Sequence, residues 1–136
     1  MIKFENVSKV IPLKTRQLEI LKDISFNLES SKVSILFGKS GSGKTTLLHL
    51  LAGLDTPSSG VCYINKNPIS KLSVDDRASF RLNNIGMVYQ FFNLLPNLTI
   101  LENIKLPLIL AGKAKKQSNI DDICTYLGIE NIINQF

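Results

Sequence analysis

With two cysteines and five prolines in 136 residues, the chain has little means of covalent stapling and none of the composition of a proline-rich or collagen-like segment. Cys62 and Cys124 each stand alone in apolar surroundings, so both read as small buried thiols in preference to a disulfide or a metal pair. No apolar run approaches the ~20 residues that a membrane-spanning helix needs. The stretches at 47–54 and 106–111 are the longest, and both are interrupted. Residues 1–6 carry neither an apolar secretory core nor a small-residue cleavage site, which sets an expectation of cytoplasmic residence. Low-complexity tracts and internal repeats are also lacking. A hydrophobic content of 44% and a charged content of 20% exclude wholesale disorder, and the length fits one folded domain at most.

Charge of one sign is in excess, at +5 with a pI near 9.3, and such an excess invites a nucleic-acid reading. Its distribution argues against one. The cations are spread among acids along the chain, and the one run, Lys113, Lys115 and Lys116, follows Gly112 in an expected loop. We therefore expect no nucleic-acid partner.

Hydrophobic periodicity supplies the elements. Ile2, Phe4 and Val7 suggest an opening strand, and the near-alternation of Ile20, Ile24, Phe26 and Leu28 within 18–28 suggests a second, paired with the first in an antiparallel ribbon. Residues 33–37 form an almost fully apolar run ending at glycine, as expected of a strand buried on both faces. Leucines at 47, 48, 50 and 51 predict a helix over 44–52, closed by Gly53 in the left-handed conformation. A turn at 56–60, a strand at 61–64, a turn at 65–68 and a short helix over 73–82 capped by Ser73 follow. Residues 85–89 read as another strand running into Gln90. Thr99 and Glu102 have capping-box spacing ahead of a helix that Pro107 should end or kink, and a last helix is predicted over 120–127, stopping at Gly128.

Between the 33–37 run and the first helix lies Gly38-Lys39-Ser40-Gly41-Ser42-Gly43-Lys44-Thr45, which matches G-x-x-x-x-G-K-[ST], the phosphate-binding loop. The spacing has a physical basis. Glycines at 38, 41 and 43 admit backbone conformations closed to other residues and turn successive N–H groups inward as a nest for an anion. The helix starting near Lys44 adds its positive end. Lys44 is expected to reach the β- and γ-phosphates as a point charge, and the Thr45 hydroxyl to ligate the Mg²⁺ that bridges them. Lys39, Ser40 and Ser42 are expected to contribute mainly backbone N–H groups. A loop of this kind does not name a reaction. A guanine-reading Asn-Lys-x-Asp stretch begins at Asn65-Lys66-Asn67 but has Pro68 where the aspartate belongs, so a GTPase is set aside.

From Asp23 through Leu110 the sequence resembles the nucleotide-binding subunit of ABC transporters. The likeness is carried by Leu21-Lys22-Asp23-Ile24-Ser25-Phe26, by the loop with Thr46-Leu47-Leu48, by Leu54-Asp55-Thr56-Pro57-Ser58-Ser59-Gly60 and by Met87-Val88-Tyr89-Gln90. The continuation Phe91-Phe92-Asn93-Leu94-Leu95-Pro96-Asn97-Leu98-Thr99, Glu102-Asn103-Ile104 and Leu106-Pro107-Leu108 is similar to the lipoprotein-releasing and macrolide or peptide export branch. The resemblance implies an α/β fold with a P-loop NTPase-like core, an N-terminal antiparallel β subdomain and the start of a helical subdomain, incomplete relative to the family. Residues 1–136 would form part of one nucleotide-binding domain, 1–90 its ATP-binding core and 91–136 the start of the helical part. It further implies ATP and Mg²⁺ as cofactors, with residues 38–46, Gly38 to Thr46, as the binding set. Lys44 and Gln90 would be the catalytic contributors, and Thr45 with the Gln90 amide oxygen the Mg²⁺ ligands. Implied partners are a transmembrane permease subunit and a second nucleotide-binding subunit, at the inner face of the plasma membrane. Phe91, Phe92 and Leu95 read equally as core or as partner contacts.

Departures from the family's pattern bear on function. The family usually places an aromatic near Val10 or Ile11 to stack on adenine, and no aromatic lies between Phe4 and Phe26; Ile11 or Pro12 would have to cover the ring, with weaker nucleotide affinity. The family's Leu-Ser-Gly-Gly-Gln signature, Walker B aspartate, catalytic glutamate and switch histidine have no counterparts in residues 1–136, and His49 reads as a partly buried helix residue. The expectation is an ABC-type ATPase subunit that in this form binds ATP without turning it over. The alternative is a non-hydrolysing regulatory module that pairs with a membrane subunit or partner ATPase.

Overall fold

A computed structural model describes residues 1–113 and 118–136. Two compact units are present, Met1–Arg81 and Leu82–Phe136.

In the first unit, β1 (Ile2–Pro12) and β2 (Gln17–Leu28) form the expected antiparallel ribbon. β3 (Ser59–Ile64) pairs with the other side of β1, and the two-residue β4 (Asn67–Pro68) follows, giving the order β2-β1-β3-β4. Asn65 and Lys66, with φ of 48° and 68°, make the tight link from β3 to β4 that twisted antiparallel strands favour. The ribbon is irregular on purpose of chemistry: the register shifts around Asn6 and Ser8, where the Ser8 hydroxyl accepts from the Asp23 N–H at 2.9 Å and the Ser25 hydroxyl from the Asn6 N–H at 2.8 Å. These side chains satisfy backbone donors that the bulges free from the ladder.

The core of this unit gathers where the sheet meets the first helix, α1 (Lys44–Leu51): Phe4, Val7, Leu21, Leu47, Leu50, Cys62, Ile64 and Ile69 are buried there. Phe4 stacks on Phe26 with centroids 4.7 Å apart. Gly53, at φ 64°, ends α1 as the sequence predicts. A short 3-10 turn (Ile69–Lys71) leads to α2 (Val74–Asn84), where the Ser73 hydroxyl accepts the Asp76 N–H at 3.1 Å.

The second unit contains α3 (Ile100–Leu110) and α4 (Ser118–Leu127). The Thr99–Glu102 capping box forms in both directions. Pro107 does not end the helix, which continues to Leu110. Gly128, at φ 68°, closes α4 as expected. Cys62 and Cys124 are free and buried, and no described helix is long and apolar enough to cross a membrane.

Two expected strands do not form. Residues 33–37 and 85–89 carry no regular secondary structure, with Val33 93%, Phe37 84% and Val88 100% exposed. An apolar run becomes a buried strand only when neighbours take up its N–H and C=O groups and cover both faces. The sheet of the described residues is complete on its own order and offers these runs no ladder. Of the basic run, Lys113 donates to Asn83 Oδ1 at 2.8 Å, while Lys115 and Lys116 lie outside the described residues.

Candidate functional site

The loop at 38–45 is placed by its two flanks. On one side, Gly43 packs on β2 so closely that an added Cβ would lie 3.0 Å from Leu21 Cδ2 and 3.1 Å from the Ile20 carbonyl oxygen. Gly43 also takes φ 88°, so it needs a left-handed backbone and a bare Cα together. On the other side, the chain leaving α1 is fastened to β1. Lys9 Nζ donates to Asp55 Oδ1 at 2.7 Å and to the Thr56 carbonyl at 2.8 Å, and the Val10 N–H donates to Ser58 Oγ at 3.0 Å. Burial, the largest single influence on Asp55, pushes its carboxyl up. The Lys9 ammonium, the Thr56 N–H and the charge of His49 together outweigh it and hold that carboxyl below its ordinary value. His49 itself is half-buried on α1.

Between these fastenings opens a cavity of 530 Å³, lined by residues 40–46 of the loop and first turn and by Leu18, Glu19 and Ile20 of β2. The start of α1 is what gives this cavity a chemistry. Its N-cap is Gly43, no side chain caps it, and its first turn holds no acid. The first amides of a helix have no acceptor within the helix, so at α1 they open toward the cavity side of the loop without a built-in partner. α2 and α3 are handled differently: Ser73 and Asp76 close the first, Thr99 and Glu102 the second. Lys44 supplies the cation. Its ammonium donates to the Gly38 carbonyl at 2.8 Å and the Lys39 carbonyl at 2.6 Å, which folds the side chain across the loop. Ser42 N–H donates to Lys39 O at 3.2 Å, tightening the same turn. Thr45 is exposed and Thr46 half-buried, both on the cavity wall.

Residues 38–46 are thus brought together within the first unit. Gln90 belongs to the second unit, exposed at the end of the 85–89 segment. Phe91, Phe92 and Leu95 are exposed at 75%, 89% and 45% and belong to no packed core among the described residues. The wall opposite the loop differs from the sequence-based expectation. Leu18, Glu19 and Ile20 line it; Ile11 is the cross-strand neighbour of Leu18, and Pro12 that of Gln17. Sequence reading missed this wall because it depends on a register across a bulged ribbon.

Residues 21–136 match the family described as ABC transporter. The chain belongs to the ABC transporter family. Two solved structures of the ATP-binding cassette MJ0796 match it with a TM-score of 0.85 each. One is a dimeric post-hydrolysis state bound to ADP and Pi, at 32% identity; the other, at 33%, is described as a dimeric bacterial ABC transporter cassette. Each match covers 98% of this chain and 60% of the other, so the chain spans 60% of that cassette's length. Its antiparallel sheet and helices correspond to the N-terminal region of such an ATP-binding cassette, a fold incomplete relative to the family.

Proposed function

We propose that this chain binds Mg-ATP at residues 38–46 as the ATP-binding part of an ABC transporter that drives export across, or extraction from, a membrane. The observation that carries the reading is the uncapped, acid-free start of α1 facing a cavity beside the Lys44 ammonium. An anion with several oxygens suits it, because first-turn amides and the helix dipole both favour negative charge there.

The donor set also fits a Mg-nucleotide. Thr45 offers one hydroxyl at the helix start, and in the reading from family resemblance Gln90 offers an amide oxygen. Mg²⁺ accepts few protein ligands and takes the rest from phosphates and water. When bound, the ion neutralises phosphate charge and bridges phosphate oxygens. The chain's own part is to hold and orient. Amides of 41–46 cradle the phosphates, and Lys44 exchanges its bonds to Gly38 O and Lys39 O for bonds to phosphate oxygens. Residues 1–90 form the nucleotide-binding core in this reading and 91–136 the start of a helical subdomain. Partners are a transmembrane permease and a second nucleotide-binding subunit, with the protein at the inner face of the plasma membrane. Titratable side chains on the cavity wall are Lys44 and Glu19. We assign neither the role of a general base, so the 136-residue chain is expected to bind ATP without releasing phosphate.

Lys44→Ala tests the site. Titration calorimetry with Mg-ATP is expected to show a loss of at least 100-fold in affinity, the removal of a charge-assisted contact worth roughly 3 kcal/mol. Affinity equal to that of the unaltered chain would refute the assignment. A single-turnover assay then reads phosphate release.

A further inference from the structure

The polar groups of the cavity are all on one side. Loop amides, the Lys44 ammonium and the hydroxyls of Ser40, Ser42 and Thr45 surround the phosphate end, while the opposite wall is the β2 segment of Leu18, Glu19 and Ile20. Leu18 is 45% exposed, and its cross-strand neighbour Ile11 is 39% exposed, so the surface continuing from that wall is aliphatic as well. We infer that the site reads the Mg-triphosphate and is indifferent to the base, accepting ATP, GTP and CTP alike, because Leu18 and Ile20 meet the nucleoside with contacts that carry no base identity. This rests on the phosphate-loop reading above.

Strong discrimination between bases needs donors and acceptors placed at the base edge, since an unmatched polar group there is costly, whereas an apolar wall separates ligands by far less. A ring to stack on would add affinity for any base, and none lines this cavity. Glu19 is the one polar side chain on the wall. It is exposed and lies 4.0 Å from Lys22. A carboxylate accepts from an exocyclic amino group, and adenine, guanine and cytosine each carry one. Glu19 therefore does not choose among them.

The test is calorimetric titration of the 136-residue chain with the Mg²⁺ complexes of ATP, GTP, CTP and inorganic tripolyphosphate. The three nucleotides are expected within about threefold of one another, and tripolyphosphate within about tenfold of ATP. Binding of ATP at least tenfold tighter than both GTP and CTP overturns the inference and leaves the phosphate site standing. No binding of any of the four overturns both. Leu18→Trp, at a position exposed enough to accept the ring, locates the base: ATP and GTP should each gain about fivefold relative to tripolyphosphate. An unchanged ratio, in a variant whose circular dichroism matches the parent, overturns the placement of the nucleoside on this wall.

Discussion

Single residues in this protein act through what their immediate neighbours leave unsatisfied. Lys44 is the clearest case: with its ammonium already on two loop carbonyls, it is held at the cavity without a counter-ion. Cys62 is the opposite case, a side chain with nothing left to do. Burial pushes its thiol up to about 11, so it stays protonated and inert near neutral pH. Its alkylation by iodoacetamide at pH 8 is expected to be at least 100-fold slower in the native chain than in urea; equal rates would show the site to be open. Because this folded-state pKa is raised above the unfolded value of 9.0, the associated stability is complete below pH 9. It is lost as pH rises toward 11. Asp55 shifts the other way. Its lowered pKa means that the Lys9–Asp55 tie supports the fold above the ordinary carboxylate value near 3.8 and weakens as pH falls below it. Asp55 is 40% exposed, so Asp55→Asn is expected to cost no more than about 1 kcal/mol at pH 7 in urea unfolding, and less at pH 3.

Elements here owe their boundaries to side chains that the sequence displays openly. Thr99 and Glu102 cap α3, and Asn103 adds a second clamp, its amide donating to the carbonyls of Leu95, Leu98 and Thr99 and accepting the Leu95 N–H at 2.8 Å. The 95–99 turn is thereby folded onto the helix that follows it. Thr99→Ala is expected to cost about 1 kcal/mol by thermal or urea unfolding. The Thr99 N–H and hydroxyl hold the Glu102 carboxyl below its ordinary value, so this cap is intact above pH 4.5 and fades as pH falls below it. Glu102→Gln should flatten that part of the pH profile. In the sheet, Gly60 marks a place where strands approach too closely for a side chain. At φ 81° a Cβ would strike the backbone of Asn6 and Glu5. Gly60→Ala is expected to lose roughly 2 kcal/mol or more, combining left-handed strain with displacement of β1. These features were legible in advance, since caps, glycine stops and alternation are local. Pro107 was read too strongly: a helix tolerates it where packing and the flanking turns compensate.

At the scale of the whole molecule, the exposed apolar runs dominate behaviour. Val33, Ile35, Phe37, Val88, Phe91 and Phe92 are all more than 70% exposed. Apolar segments with unpaired backbone groups seek other chains. Sedimentation velocity is expected to show concentration-dependent association of the 136-residue chain, reduced by the double change Val33→Lys and Phe37→Lys. A monomer at all concentrations would contradict this. The same runs explain why strands expected at 33–37 and 85–89 did not appear. Their β character is written in composition, but a ladder is a property of pairs.

The phosphate loop, the β1–β2 ribbon, the helix caps and the family likeness were decided by sequence, because each depends on residue types at fixed short spacings or on alternation along one segment. Tertiary structure alone decided that Leu18, Glu19 and Ile20 face the loop, that Lys9 and Asp55 fasten α1 to β1, and that the apolar runs stand unpaired. Those facts arise from register across bulges and from contacts between residues dozens of positions apart, and no local pattern encodes them.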